Sequence, residues 1–253
     1  VLFRSQNIAL FPEWNCDVPI YLANHHRGFM HEWLRYQAFY LMEYWRMKHG
    51  EDMLGRVWRE SESHEDPITA YKRIAGLSQD QFNAEVWESA CHDITWDYPL
   101  GGYLRRIVDR QSEADRQTWY THKTRLIAEN GYYRSYPDTV TADHGTEQNI
   151  AFTPHDYGYN AFQLSVPEGG TTVTAEFEGI TGDSRYRTVG DSKAGWRFGF
   201  VGVQGSWTPV YGDMGEATGT APQASVSFTV PGGGLKQLWF VVSGAPTRHE
   251  PHV

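Results

Sequence analysis

The chain is poor in several things that would have narrowed its chemistry. Only two cysteines, Cys16 and Cys91, stand among 253 residues. That is too few for a disulfide framework, and it leaves one bridge or two buried thiols open. No apolar run approaches the ~20 residues that cross a bilayer. The longest, Phe39 to Trp45, is broken by Glu43 and followed by Arg46 and Lys48. Basic residues are in deficit, 22 Lys and Arg against 31 Asp and Glu, for a net charge of −9. A nucleic-acid partner, which needs cations for its phosphates, is thereby disfavoured.

Catalytic signatures are also missing. There is no Gly-x-Ser-x-Gly elbow and no Cys-x-x-Cys. Pro231-Gly-Gly-Gly234 lies between two strand patterns with no helix after it, so it reads as a hairpin turn rather than a phosphate loop. His31-Glu32 begins like the zinc-protease helix His-Glu-x-x-His, in which two imidazoles one turn apart face one metal. Position 35 is Arg, however, and a guanidinium cannot ligate. Neither His64-Glu65 nor His249-Glu250 completes the motif, so no zinc site is expected in this stretch.

What is present is a large, aromatic-rich chain. Its mass is 29.0 kDa, 40% of its residues are apolar and 15% are aromatic, with ten Trp and fifteen Tyr. Such a chain buries a substantial core and is not disordered. Composition shifts along its length. Six of the 25 glycines precede residue 131 and nineteen lie from residue 131 onward, while seven of the ten tryptophans lie before residue 130. The first part reads helical and the second reads β, an α+β chain with a helical segment over 1–118 and an antiparallel β-sandwich over 119–253.

The helical part is well punctuated. Apolar residues at 30, 33, 34, 41, 44 and 45 predict a buried helix over 30–49, stopped by Gly50. A short helix is expected over 52–60. Asp66-Pro67, an acid at the cap and proline in the first turn, opens another that Gly76 closes. Ser78 and Gln81 have capping-box spacing and open a helix from Gln79 to about Cys91, with Phe82, Val86, Trp87 and Ala90 on one side. A short helix is expected at 103–110.

The β part starts with 124–128 and 132–136 around Asn130-Gly131, the preferred type I′ hairpin turn. Further strands are expected at 161–166, 172–177, 196–203, 225–230 and 238–242. Val173, Ala175 and Phe177 alternate with Thr and Glu, giving a strand with one wet face. Leu238-Trp-Phe-Val-Val242 is apolar throughout, as a central strand would be.

Cys91 and His92 are adjacent on a helix and so cannot face one another as a nucleophile–base pair. His92 is the better candidate for chemistry, as a proton donor oriented by Asp93 or Asp97; the plainer role is a histidine completing the last helical turn. The chain opens Val1-Leu-Phe-Arg-Ser5 without Met or a signal-peptide pattern. It is read as a piece of a longer protein.

Several stretches taken in order carry a resemblance. They are Trp33-Leu-Arg-Tyr-Gln-Ala-Phe39, Gly55-Arg-Val-Trp-Arg59, Asp66-Pro67 and Cys91-His-Asp-Ile-Thr-Trp-Asp-Tyr98. In the second part they are His155-Asp-Tyr-Gly-Tyr-Asn160, Ala194-Gly-Trp-Arg-Phe-Gly-Phe200 and Ser243-Gly-Ala-Pro-Thr247. Over residues 14–253 the chain resembles a family of bacterial and fungal secreted proteins that look like gluzincin-type zinc metallopeptidases with a C-terminal β domain. The resemblance implies that the zinc-binding helices of an intact parent lie upstream, that zinc belongs to that parent and not to this chain, and that the parent is secreted or sits at the cell surface. It points to Arg35, Tyr36 and His92 as residues lining the cleft, and to a peptide or glycan substrate. The competing expectation is a non-catalytic carbohydrate- or surface-binding module, with Tyr157, Tyr159, Trp196 or Trp207 exposed to stack on sugar rings.

Overall fold

The structure, a computed structural model, describes residues 25–31, 39–99, 124–129, 132–137, 154–182 and 190–251. Among the described residues four helices come first: α1 (Phe39–His49), α2 (Met53–Glu60), α3 (Pro67–Ala75) and α4 (Gln79–Asp93). Eight described strands follow: β1 (Thr124–Glu129), β2 (Tyr132–Pro137), β3 (Tyr159–Leu164), β4 (Thr172–Glu178), β5 (Gly195–Val203), β6 (Pro209–Thr218), β7 (Gln223–Thr229) and β8 (Gln237–Gly244). The chain is therefore α+β, with all strand pairs antiparallel.

The helix signals act through identifiable hydrogen bonds. The Asp66 carboxylate accepts from the Ile68 and Thr69 amides, and Pro67 fills the first turn. Gly76 ends α3 at φ 70°, a left-handed residue whose amide returns to the Lys72 and Arg73 carbonyls. Ser78 and Gln81 make the reciprocal capping box on α4. The expected helix over 30–49 needs correction at its start. Met30 and His31 lie in a turn in which the His31 amide donates to the Gly28 carbonyl, and the described helix runs from Phe39. The expected helix at 103–110 lies outside the described residues.

Strands β3, β8, β5 and β6 form one four-stranded sheet in that order, β4 and β7 form a two-stranded ribbon, and β1 pairs with β2. Central position explains the unbroken apolar run of β8. Trp239 and Val241 join the core shared with the helices, whereas Leu238 and Val242 join the core facing the ribbon. In β5, Val201 and Val203 likewise face the helices, while Phe198 and Phe200 face the ribbon. The layers run helices, sheet, ribbon, and the central strands β5 and β8 are buried on both faces, whereas the edge strand β6 keeps exposed residues. On the ribbon, Val173, Ala175 and Phe177 pack inward while Thr172, Thr174, Glu176 and Glu178 are exposed.

Two expectations about the strands are corrected. Pro231-Gly-Gly-Gly234 is not a hairpin turn, because it joins β7 of the ribbon to β8 of the four-stranded sheet. Strand β6 was not anticipated. It carries Gly212 and Gly215, which lack the side chains expected of a strand; a Cβ at Gly212 would stand 2.9 Å from the Phe228 ring.

Helices and sheet share one apolar core. Trp87 of α4 reaches the sheet, where its Nε1 donates to the Val241 carbonyl at 3.2 Å. Trp45 stacks on Tyr71 at 3.8 Å between centroids. Glu85 is buried among these groups, accepting from His49 Nε2 at 2.7 Å and Tyr71 Oη at 2.5 Å. Cys91 is a free, buried thiol, pushed up by burial, and Cys16 lies outside the described residues. The boundary expected between residues 118 and 119 also falls outside them.

Candidate functional site

His92 sits on the last turn of α4, on a different side from the buried Trp87. Its Nδ1 lies 2.7 Å from the Asp97 carbonyl oxygen. A carbonyl only accepts, so Nδ1 carries the hydrogen and the Nε2 lone pair points elsewhere. The same contact ties down the loop after α4, where the Asp97 amide returns to the His92 carbonyl. The imidazole stacks on Tyr211 at 4.9 Å and meets the rings of Tyr44 and Tyr98. Tyr211 donates to the Asp97 carboxylate at 2.8 Å. Of the two acids expected to orient His92, Asp97 does so, chiefly through its backbone. Asp93 instead turns inward and accepts from Tyr98 at 2.6 Å and Tyr159 at 3.0 Å. Arg35 and Tyr36 lie outside the described residues.

Of the four aromatic residues expected to stack on sugars, two are withdrawn from the surface and two are partly covered. Tyr157 and Tyr159 are buried. Trp196 is half-buried against Phe177, and Trp207 packs at the edge of the helix–sheet core. Among the described residues, no three His, Cys, Asp or Glu side chains gather to hold a metal ion.

A different site emerges where the start of α3, the start of α4 and the tail after β8 meet. An open cavity of about 340 Å³ lies there, lined by Thr69, Lys72, Gln79, Thr247, Arg248 and His249, with Pro251 at its margin. The tail is pinned from several sides. Asn83 donates to the Pro246 carbonyl at 2.9 Å, and the Thr247 hydroxyl donates to the Ser192 carbonyl at 2.6 Å. His249 is held at both ring nitrogens. Its Nε2 lies 3.0 Å from Asp66 and its Nδ1 3.1 Å from the Tyr157 hydroxyl.

The tautomer follows from the partners. A carboxylate only accepts, so His249 Nε2–H donates to Asp66, and in the neutral ring Nδ1 accepts from Tyr157. Gln79 Nε2 then donates to Tyr157 at 3.3 Å and to Asn83 at 2.9 Å. Burial works to raise the Asp66 carboxyl, but hydrogen bonds from Thr69 and His249 outweigh it and hold the group below its ordinary range. Burial pushes the Tyr157 phenol up, keeping it protonated. Tyr157 adopts φ 65°, unusual for a residue with a side chain, and its ring packs edge-on against Phe82.

Sequence reading missed this site. Asp66 and Gln79 stood out as helix-start residues, but nothing local signals that the tail returns to them, and His249 stood out only as half of a broken zinc motif.

No curated protein and no solved structure matches the chain. Residues 4–253 match the profile of a family of unknown function, DUF6055, and on that near-complete span the chain belongs to it.

Proposed function

We propose that this chain is a non-catalytic ligand-binding module of a secreted or cell-surface protein. In this reading β3, β8, β5 and β6, faced by the β4–β7 ribbon, act as the β-sandwich that supports the site. The observation that carries it is the cavity of about 340 Å³ whose floor residues His249 and Gln79 are held from behind by hydrogen bonds to Asp66 and Tyr157. A floor locked in this way is pre-organised, which lowers the ordering cost of binding. The site differs from the aromatic face first expected, and it suits a small polar group, the end of a glycan or a peptide, rather than a flat sugar surface.

The test is to follow the Gln79 side-chain amide resonances while adding glucose, glucuronate and N-acetyl-dialanine at about 10 mM, enough to see millimolar binding. Saturable shifts at Gln79 and the Arg248 guanidinium support the module. No shift with any of the three refutes it.

One observation favours a second reading, in which the chain belongs to a gluzincin-like peptidase and His92 faces its cleft. The Asp97 carbonyl fixes the His92 tautomer and leaves Nε2 available for proton exchange. In the active parent, His92→Ala would lower turnover roughly 10²–10³-fold with little change in melting point. Unchanged turnover would reduce His92 to a residue that closes a helix.

A further inference from the structure

We propose that the pocket on the C-terminal tail binds an anion, specifically a carboxylate group met by Lys72 and Arg248. This deepens the ligand-binding reading above and rests on it.

Most of the hydrogen-bonding capacity around the cavity is already spent. Both ring nitrogens of His249 are engaged, one by Asp66 and one by Tyr157. Both amide hydrogens of Gln79 are directed, to Asn83 and to Tyr157, and its oxygen accepts from Lys72 at 2.6 Å. The hydroxyl hydrogen of Thr69 goes to Asp66 at 2.5 Å and that of Thr247 to the Ser192 carbonyl. These side chains have no hydrogen left to offer a ligand.

The two cations do. An ammonium has three N–H groups, and Lys72 directs one at Gln79. A guanidinium has five, and Arg248 gives one from Nη2 to Glu250 at 2.9 Å. The lining contains no carboxylate. Asp66 lies behind His249, and Glu250 is divided between Arg248 and Lys193. In a chain of net charge −9, two cations facing one cavity with spare donors form a local exception. Burial lowers the Lys72 ammonium, so a bound anion would recover part of what desolvation costs it.

The fixed oxygens around the cavity can only accept, so a neutral polyol gains less here than an acid. A carboxylate placed on both cations makes charge-assisted bonds, the stronger kind. Two sources supply that chemistry at the end of a glycan or peptide: a uronic acid, or a free peptide C-terminus.

The experiment is calorimetric titration of the whole chain with glucuronate, N-acetyl-dialanine, glucose and N-acetyl-dialanine methyl ester, with Gln79 amide shifts as a site marker. The expected result is that at least one acid binds about tenfold or more tightly than its neutral counterpart. Lys72→Gln and Arg248→Gln should each remove most of that preference, while Glu250→Gln increases it. Whichever acid shows the preference identifies the source. Both positions lie at the surface of the fold, and an unchanged thermal midpoint in each variant establishes that it is folded. Equal binding of acid and neutral forms at Gln79 overturns the anion inference and leaves the pocket reading standing. If no compound shifts Gln79, both fail.

Discussion

His25 and His26 make the fold acid-sensitive between pH 7 and pH 5. Both are buried where residues 25–31 meet residues 154–159. His25 Nδ1 donates to the Tyr159 carbonyl at 2.6 Å and its ring stacks on Tyr159 at 4.6 Å. Burial lowers its pKa to about 4, partly offset by that carbonyl. Burial lowers His26 to about 3, helped by His25, Arg27, His155 and His31 around it. Both rings are thus neutral in the folded chain throughout this window, while in the unfolded chain each takes up a proton near pH 6.5. The unfolded state binds more protons, so stability falls as pH falls through 6.5 and continues to fall until about pH 3–4. Between pH 7 and pH 5 each ring contributes a loss of about 2 kcal/mol, about 4 kcal/mol for the two. Domains are stable by roughly 5–15 kcal/mol, so this is a large share. Urea denaturation at pH 7, 6 and 5 measures it. His26→Phe, which keeps an aromatic ring of similar size without a titratable nitrogen, should remove about 2 kcal/mol of the pH dependence. An unfolding free energy that is flat between pH 7 and pH 5, or unchanged pH dependence in His26→Phe, would refute the reasoning.

Other substitutions probe the core and the caps. Gly199→Ala places a Cβ 2.5 Å from the Asp213 carbonyl and 2.7 Å from the Trp87 ring; overpacking of this kind should cost about 1–3 kcal/mol in chemical denaturation, and a neutral result would mean the Trp87 contact is loose. Glu85→Ala strands two donors, His49 and Tyr71; a loss of about 3 kcal/mol is expected, and one under about 0.5 would show the network is not stabilising. Asp66→Ala removes a helix cap and the partner of His249 together. It should lose about 1 kcal/mol from the cap alone and more from the tail, whereas Asp66→Asn, which keeps the cap, should lose only the second part; no loss in Asp66→Asn would separate the tail from Asp66. Gly76→Ala meets open space but forces a side chain into φ 70°; the expected cost is about 1 kcal/mol, read from the thermal midpoint.

Local signals in the sequence translated into structure wherever the determining contacts were themselves local. Asp66-Pro67, Gly76 and the Ser78–Gln81 box act within a few residues, and α3 and α4 begin where they say. The alternation in β4 and the apolar run of β8 report burial on one face and on two. Strand β6 was illegible because its glycines answer to aromatic rings on other strands, a reason that cannot be read at positions 212 and 215. The stacking role expected of Tyr157 and Tyr159 failed similarly: aromatic composition cannot tell a wall from a platform, and both rings are buried by the 25–31 turn and α4. The pocket joins residues 66 and 249, which no spacing rule relates.

The position of β8 also determines where the chain can tolerate a change of length. Its successive residues alternate between the helix-facing and ribbon-facing cores, with Trp239 and Val241 to one side and Leu238 and Val242 to the other. Inserting a single residue near the middle of β8 would exchange these two sets over the rest of the strand, and would also shift Ser243 and Gly244 against β3 and β5 at once. The tail begins directly after Gly244, so the displaced register would carry Arg248 and His249 away from α3. The segment 231–234 joins two different sheets, and side chains at Gly233 and Gly234 would meet open space. It can absorb an added residue without passing the shift along, which makes it the natural place to insert a label or a tag while leaving the distant cavity intact.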